Sequence, residues 1–262
     1  MRIGIMAAMP DEIAEFDKEI TLKKSEKYAG RDIHIGKYNT IDIVVMVMNQ
    51  CGKAAGSSSA TILLEKYKVD LIILVGTAGA VDRSLNIGDI VIADNLFQLD
   101  INAEGAGFKK FEIPLLGKIT FGADKNLCNL MKGVAMQFVS KINTYVDQQM
   151  LVDFKIDTPS VKVGTVATGD QFSTDLATLT TEETGINNIL CVEMEGAAVA
   201  QVCYSYEKPL LVVRVISDKA DDNLGIDFNK FLKFLASIYA KVILKNLLEH
   251  RDTLFKTMMQ HV

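Results

Sequence analysis

A chain of 262 residues, 49% of them hydrophobic and with charge spread along its length, carries enough apolar surface for a full core, which excludes extended disorder. Its formal net charge of -5, with no basic stripe, gives no electrostatic footprint for nucleic acid or an anionic membrane and points to a small neutral or cationic molecule. Cys51, Cys128, Cys191 and Cys203 lack any Cys-x-x-Cys spacing and only His34, His250 and His261 accompany them, so no metal site or thiol redox centre is expected.

In chain order, residues 1–10 carry an arginine and are cut by Pro10-Asp11-Glu12, which suits a first strand over 3–7 better than a signal peptide. Further strand-length apolar runs follow at 33–38, 41–48, 71–75, 90–93, 161–167, 189–194 and 210–216. Several are apolar throughout, the pattern of strands covered on both faces. Helical periodicity lies at 53–67, 125–139, 196–206 and 228–249, the last with Phe228, Phe231, Leu232, Leu235, Ile238 and Val242 at spacings of three and four and Asp227 as N-cap. This alternation predicts an α/β layered fold. With no repeat, linker or low-complexity tract, residues 1–262 read as one domain. No window approaches the roughly eighteen uncharged apolar residues of a membrane span, so a soluble protein of the reduced cytoplasm is expected.

Three strand ends deliver acids. Glu12 follows the first strand, where loops of open α/β sheets line a ligand crevice, although Pro10-Asp11-Glu12 equally reads as a helix start with dipole-matched acids. Glu195 stands where the 189–194 strand gives way to a small-residue helix, whose N-terminal amides should keep it ionised to grip a vicinal diol beside Met194. The alternative is a helix-start acid with a structural hydrogen bond, a role that also suits Glu193. Asp218 leaves a buried strand and could donate a proton, or could simply cap a helix, neutralised by Arg214 or Lys219. Phe172, in Gly169-Asp170-Gln171-Phe172-Ser173, offers a stacking face or a satellite core residue. Gly76-Thr77-Ala78-Gly79 allows close backbone approach but is not a dinucleotide fingerprint, and Gly52-Lys53 is not a phosphate-binding P-loop.

Together, Ile3-Gly4-Ile5-Met6-Ala7-Ala8-Met9 leading to Glu12, Gly76-Thr77-Ala78-Gly79, Gly88-Asp89-Ile90-Val91, Gly169-Asp170-Gln171-Phe172, Val192-Glu193-Met194-Glu195 and Ile216-Ser217-Asp218-Lys219-Ala220-Asp221 cover most of the chain. They resemble the methylthioadenosine/S-adenosylhomocysteine nucleosidase family of the nucleoside phosphorylase superfamily. The resemblance implies a three-layer single domain, a central mixed sheet flanked by helices, and hydrolysis of an adenine nucleoside's N-glycosidic bond without metal or cofactor. It implies that Glu12 positions and deprotonates water, that Met194 and Glu195 hold the ribose, and that Asp218, supported by Ser217, protonates the departing adenine. Thr77 and Ala78 would touch the ligand, Phe172 the adenine face, the Ser173 backbone its edge, and Phe228 the alkylthio tail. Phe108 and Pro114 lie on the segment that in relatives reaches a partner's active site, which implies a homodimer.

The chain departs from the family pattern at Leu99-Asp100-Ile101-Asn102, where relatives carry His-Asp-x-Asp, at Ala106, where an aromatic often closes the tail pocket, and at Cys51, usually aliphatic. Residues 141–159 and the tail after Glu249 run longer than typical. The competing readings are a phosphate-dependent phosphorylase and a non-catalytic nucleoside-binding or surface-interaction protein. Arg2, Arg31, Arg83, Arg214 and Arg251 are the only arginines, and none falls in the loop after the first strand or just before Gly76, which favours water over phosphate.

Overall fold

A computed structural model describes residues 1–171, 179, 181–219 and 224–259, except for the side chains of residues 183 and 224–227. Its strands are β1 (Arg2–Ala7), β2 (Thr21–Tyr28), β3 (Arg31–Tyr38), β4 (Ile41–Val47), β5 (Leu71–Ala80), β6 (Ile90–Gln98), β7 (Thr120–Gly122), β8 (Val161–Thr168), β9 (Ile189–Glu193) and β10 (Leu210–Asp218). The helices are α1 (Ala14–Asp17), α2 (Lys53–Glu65), α3 (Lys125–Val139), α4 (Gln148–Asp153), α5 (Thr181–Thr184), α6 (Gly196–Ser205), α7 (Leu224–Phe231), α8 (Ser237–Glu249) and α9 (Arg251–Met259).

Among the described residues, ten strands join one mixed sheet. From one edge the order is β2-β3-β4-β1-β5; β5 then pairs with β10, β10 with β6, β6 with β8, β8 with β9, and β9 returns to β5. This end of the sheet therefore closes into a ring. β1, β4, β5 and β10 run parallel, so their C-terminal ends, and the loops that follow, share one side of the sheet.

The two-residue period of the strands sorts their side chains into two cores. Ile3, Ile5, Ile43, Val45, Ile73 and Val213 pack with α3, α8 and α9, whereas Met6, Val44, Ile72, Leu74 and Val212 pack with α2 and α6. These are the three layers expected, with sheet strands apolar on both faces because both faces are covered.

Where the structure differs from the sequence reading, packing explains it. β2 is exposed along nearly its whole length and, among the described residues, pairs only with β3, so it has no apolar face to announce it. The predicted 228–249 helix is three pieces, α7, a π-helical turn over Leu232–Ala236, and α8. Asp227 lies inside α7 and is not an N-cap: in the sequence Leu224 stands four residues before Phe228, so the helical spacing already starts there. β5 continues through Gly76-Thr77-Ala78-Gly79, so that segment is strand rather than loop.

The two extra stretches build core. Ile142, Val146, Leu151, Phe154 and Ile156 are buried, as are Leu254 and Met258 of α9. Phe154 meets Phe231 edge-on at 5.7 Å, and Phe231 lies on the helix that carries Phe228, so the 141–159 insertion braces one wall of the site described next.

Candidate active site

The ends of β1, β5, β9 and β10 surround a cavity of ≈ 240 Å³. Glu12, Thr77, Ala78, Met194, Glu195, Ser217, Asp218 and Phe228, eight of the residues singled out from sequence, line it together. Phe172 and Ser173 lie outside the described residues. Phe108 is half-buried and Pro114 exposed on the segment between β6 and β7, and neither lines this chain's cavity.

Glu12 ends a one-turn helix, Pro10–Glu12, and is 2% exposed. Its Oε2 accepts the Ala8 and Met9 amides at 2.9 and 3.0 Å, and its Oε1 accepts the Thr77 amide at 3.0 Å. Burial pushes its pKa up, and Arg214 and those amides offset the rise only in part. A carboxylate so placed is a stronger base than an exposed one and is already aligned.

The paired acids at the turn from β9 into α6 divide their work, and the division corrects the expectation for Glu195. Glu193, not Glu195, takes the amides at the start of α6: it accepts from Glu195 N at 2.9 Å and from Gly196 N at 2.8 Å. Glu193 also takes the Thr168 hydroxyl and the Arg214 guanidinium. Glu195 keeps the Gly52 amide at 2.8 Å and a longer 3.6 Å approach from Arg214. Burial, then the Glu193 charge, raise its pKa to about 7. The carboxylate expected to stay fully ionised is therefore poised near neutrality, because its neighbour holds the helix amides and most of the guanidinium.

That shift fixes a pH dependence of stability. The folded protein binds a proton at Glu195 more tightly than the unfolded chain does, so this contribution is complete below about pH 4.5 and lost as pH rises through about 7. Urea midpoints should fall over that interval, and Glu195→Gln should flatten the fall. An unchanged slope in the variant would assign the decline to other groups.

Asp218 sits just past a register shift between β10 and β5, where Ile216 faces Ala78 and Asp218 faces Gly79. Such a bulge turns a strand-end side chain out of its expected face. Ser217 Oγ lies 2.8 Å from Asp218 Oδ2 and 3.4 Å from the Ala78 carbonyl, so the serine fixes the carboxyl against β5. Lys219 Nζ is 3.1 Å from Asn86 Oδ1, directed to the 81–88 loop.

Comparison with known proteins places the chain in a family. The family model described as the phosphorylase superfamily matches residues 2–249. Over 246 residues, 94% of this chain and 98% of the relative, the sequence is 33% identical to the 5'-methylthioadenosine/S-adenosylhomocysteine nucleosidase of Haemophilus influenzae (strain PittEE). The chain belongs to the methylthioadenosine/S-adenosylhomocysteine nucleosidase family. The nucleosidase of Helicobacter pylori with butyl-thio-DADMe-Immucillin-A superposes with a TM-score of 0.79 at 27% identity, covering 95% of this chain and 98% of that one. The futalosine hydrolase of the same organism gives 0.79 at 28% identity with the same coverage.

Within this family frame, the residue that sequence reading undervalued is Arg214. It is 1% exposed, inside an otherwise apolar strand, and its guanidinium reaches the cavity floor among Glu12, Glu193 and Glu195. Gly76 makes room for it: a Cβ there would overlap Arg214 Nη1 and lie 2.7 Å from Glu12 Oε1. The signal was available, since a lone arginine in a strand covered on both faces must meet buried acids. Gly56 makes room in the same way, as a Cβ there would stand 3.1 Å from Glu195.

Proposed function

We propose that this chain hydrolyses the N-glycosidic bond of adenine nucleosides bearing a 5'-thio substituent, methylthioadenosine and S-adenosylhomocysteine among them, releasing adenine and the thioribose sugar. The observation that carries the reading is the convergence of Glu12, Glu195 and Asp218 on one cavity with Arg214 beneath them.

Cleaving this bond builds positive charge on the ribose and negative charge on the base. Glu12 accepts a proton from water as the water oxygen bonds to the anomeric carbon; the electron pair of the broken carbon–nitrogen bond leaves with adenine, which takes a proton from Asp218. Glu195 accepts hydrogen bonds from the ribose hydroxyls, Met194 covers the sugar, and growing cationic character on the ribose favours the ionised form of Glu195. Phe172 and the Ser173 backbone would serve the base, and Phe228 the thio-substituent.

Water rather than phosphate suits the charges present. Arg214 is the one arginine lining the cavity among the described residues, and three carboxylates already surround it. A phosphate dianion there would meet net negative charge. Adenine release from methylthioadenosine should proceed at the same rate with and without phosphate, with free sugar as co-product. Strict phosphate dependence would make this a phosphorylase, and no release under either condition would leave a binding protein.

The active assembly in this proposal is a homodimer in which Phe108 and Pro114 of each protomer close the tail pocket of the other. Leu115, beside Pro114, is 96% exposed at the tip of that segment, as befits a contact waiting for a second protomer. Light scattering at the monomer mass of 28.8 kDa at assay concentration would remove the dimer from the proposal.

A further inference from the structure

Three sequence features left without a role, Gly52-Lys53, Leu99-Asp100 and Gly169-Asp170, meet in one ring of interactions. Lys53 N donates to Asp170 Oδ1 at 2.8 Å, Asp170 N donates to Asp100 Oδ2 at 2.9 Å, and the Lys53 ammonium closes the ring on Asp100, with Asp170 Oδ2 3.7 Å away. These residues come from the start of α2, the end of β6 and the end of β8, and the Lys53 side chain is 18% exposed. The ring has little slack: Leu99 N donates to the Thr168 carbonyl at 2.9 Å, and a Cβ on Gly169 would press on Leu99 at 3.0 Å.

α2 begins without a cap of its own. Its N-cap is Gly52, which has no side chain to offer and sits at φ 99°, where a Cβ would lie 2.8 Å from Asp170 Oδ1. Asp170 therefore supplies the capping oxygen from another loop. The amide of that same Gly52 holds Glu195, and the chain leaves Asp170 through Gln171, which lines the cavity.

We propose that Lys53, Asp100 and Asp170 are positioning residues that fix the Gly52 amide on Glu195 and so set how the ribose diol is gripped. This rests on the nucleosidase reading given above. The groups that face Glu195 are Gly52 and Cys51 before α2, Glu193 on its own segment, Arg214 on β10 and Glu12 after β1. Losing the Gly52 amide removes one of the contacts that favour the carboxylate, so Glu195 would ionise at higher pH.

The test is steady-state hydrolysis of methylthioadenosine across pH for Lys53→Met, Asp100→Asn and Lys53→Arg, with melting curves alongside. Lys53→Met and Asp100→Asn should raise KM about tenfold and move the acid limb of kcat/KM to higher pH by half a unit or more, with kcat changed less than threefold. Lys53→Arg should restore most of both. If Lys53→Met folds poorly, Asp100→Asn decides, because its amide oxygen can still accept the Asp170 N–H while the ion pair is lost. Wild-type KM and an unmoved acid limb in folded variants of an active enzyme would overturn the positioning role alone. A wild-type protein that releases no adenine would overturn the nucleosidase reading and this role with it.

Discussion

Asparagine in place of Asp218 is expected to lower kcat for adenine release by about 10²- to 10⁴-fold while substrate still binds, the range for loss of one general acid. The substitution preserves shape at a position fixed by the β10 bulge, and the amide oxygen can still meet Ser217 Oγ, now 2.8 Å from the carboxyl. In the proposed mechanism, what disappears is the proton that adenine takes, at a residue lining the cavity. Calorimetric binding of methylthioadenosine together with single-turnover kinetics separates the two effects. Equal kcat in the variant would strip Asp218 of the acid role, and loss of binding with intact turnover on saturation would recast it as a ligand contact.

The second large effect is structural. Arg214→Met should cost about 3–5 kcal/mol of folding stability near neutral pH, since it leaves a buried carboxylate without its cation. Arg214 and Glu193 side chains are 1% and 2% exposed, so water can replace nothing that is lost. With the guanidinium gone, Glu12 and Glu195 lose a lowering influence as well, and their pKa values rise further. Protonation relieves that repulsion, so the stability gap between variant and wild type should narrow at about pH 5 and widen at about pH 8. Urea unfolding at both pH values checks the sign. A gap independent of pH would mean that the loss is one of packing around the arginine stem rather than of charge.

The acids at strand ends were legible because carboxylates beside long apolar runs are out of place unless a site requires them. Their division of labour was not. Glu193 and Glu195 lie two residues apart with the same chemistry, and only the turn into α6 decides that Glu193 meets the helix amides while Glu195 meets Gly52. Arg214 was visible but read in isolation, since nothing local places it beside Glu12, two hundred residues earlier. Among the strands, 3–7 and 210–216 stood out because both faces are buried, whereas β2 is an open edge with Lys23, Lys24 and Lys27 along it and could not be told from a polar loop. Those lysines also suit an edge that must not recruit another strand. The π-helical turn at Leu232–Ala236 leaves no mark in the apolar period, which runs through it unbroken.

The closed ring of strands bears on how this molecule is made in a cell. Among the described residues β10 is the last strand in chain order, yet it occupies the place between β5 and β6. Until it emerges, a nascent chain presents both of those hydrophobic edges unpaired, and at about 5–20 residues per second the roughly one hundred residues between β6 and β10 take about 5–20 s to translate. Such edges are where mispairing begins. The strand that ends this exposure also carries Arg214, so the buried cation reaches its carboxylates in the same event that covers the two edges.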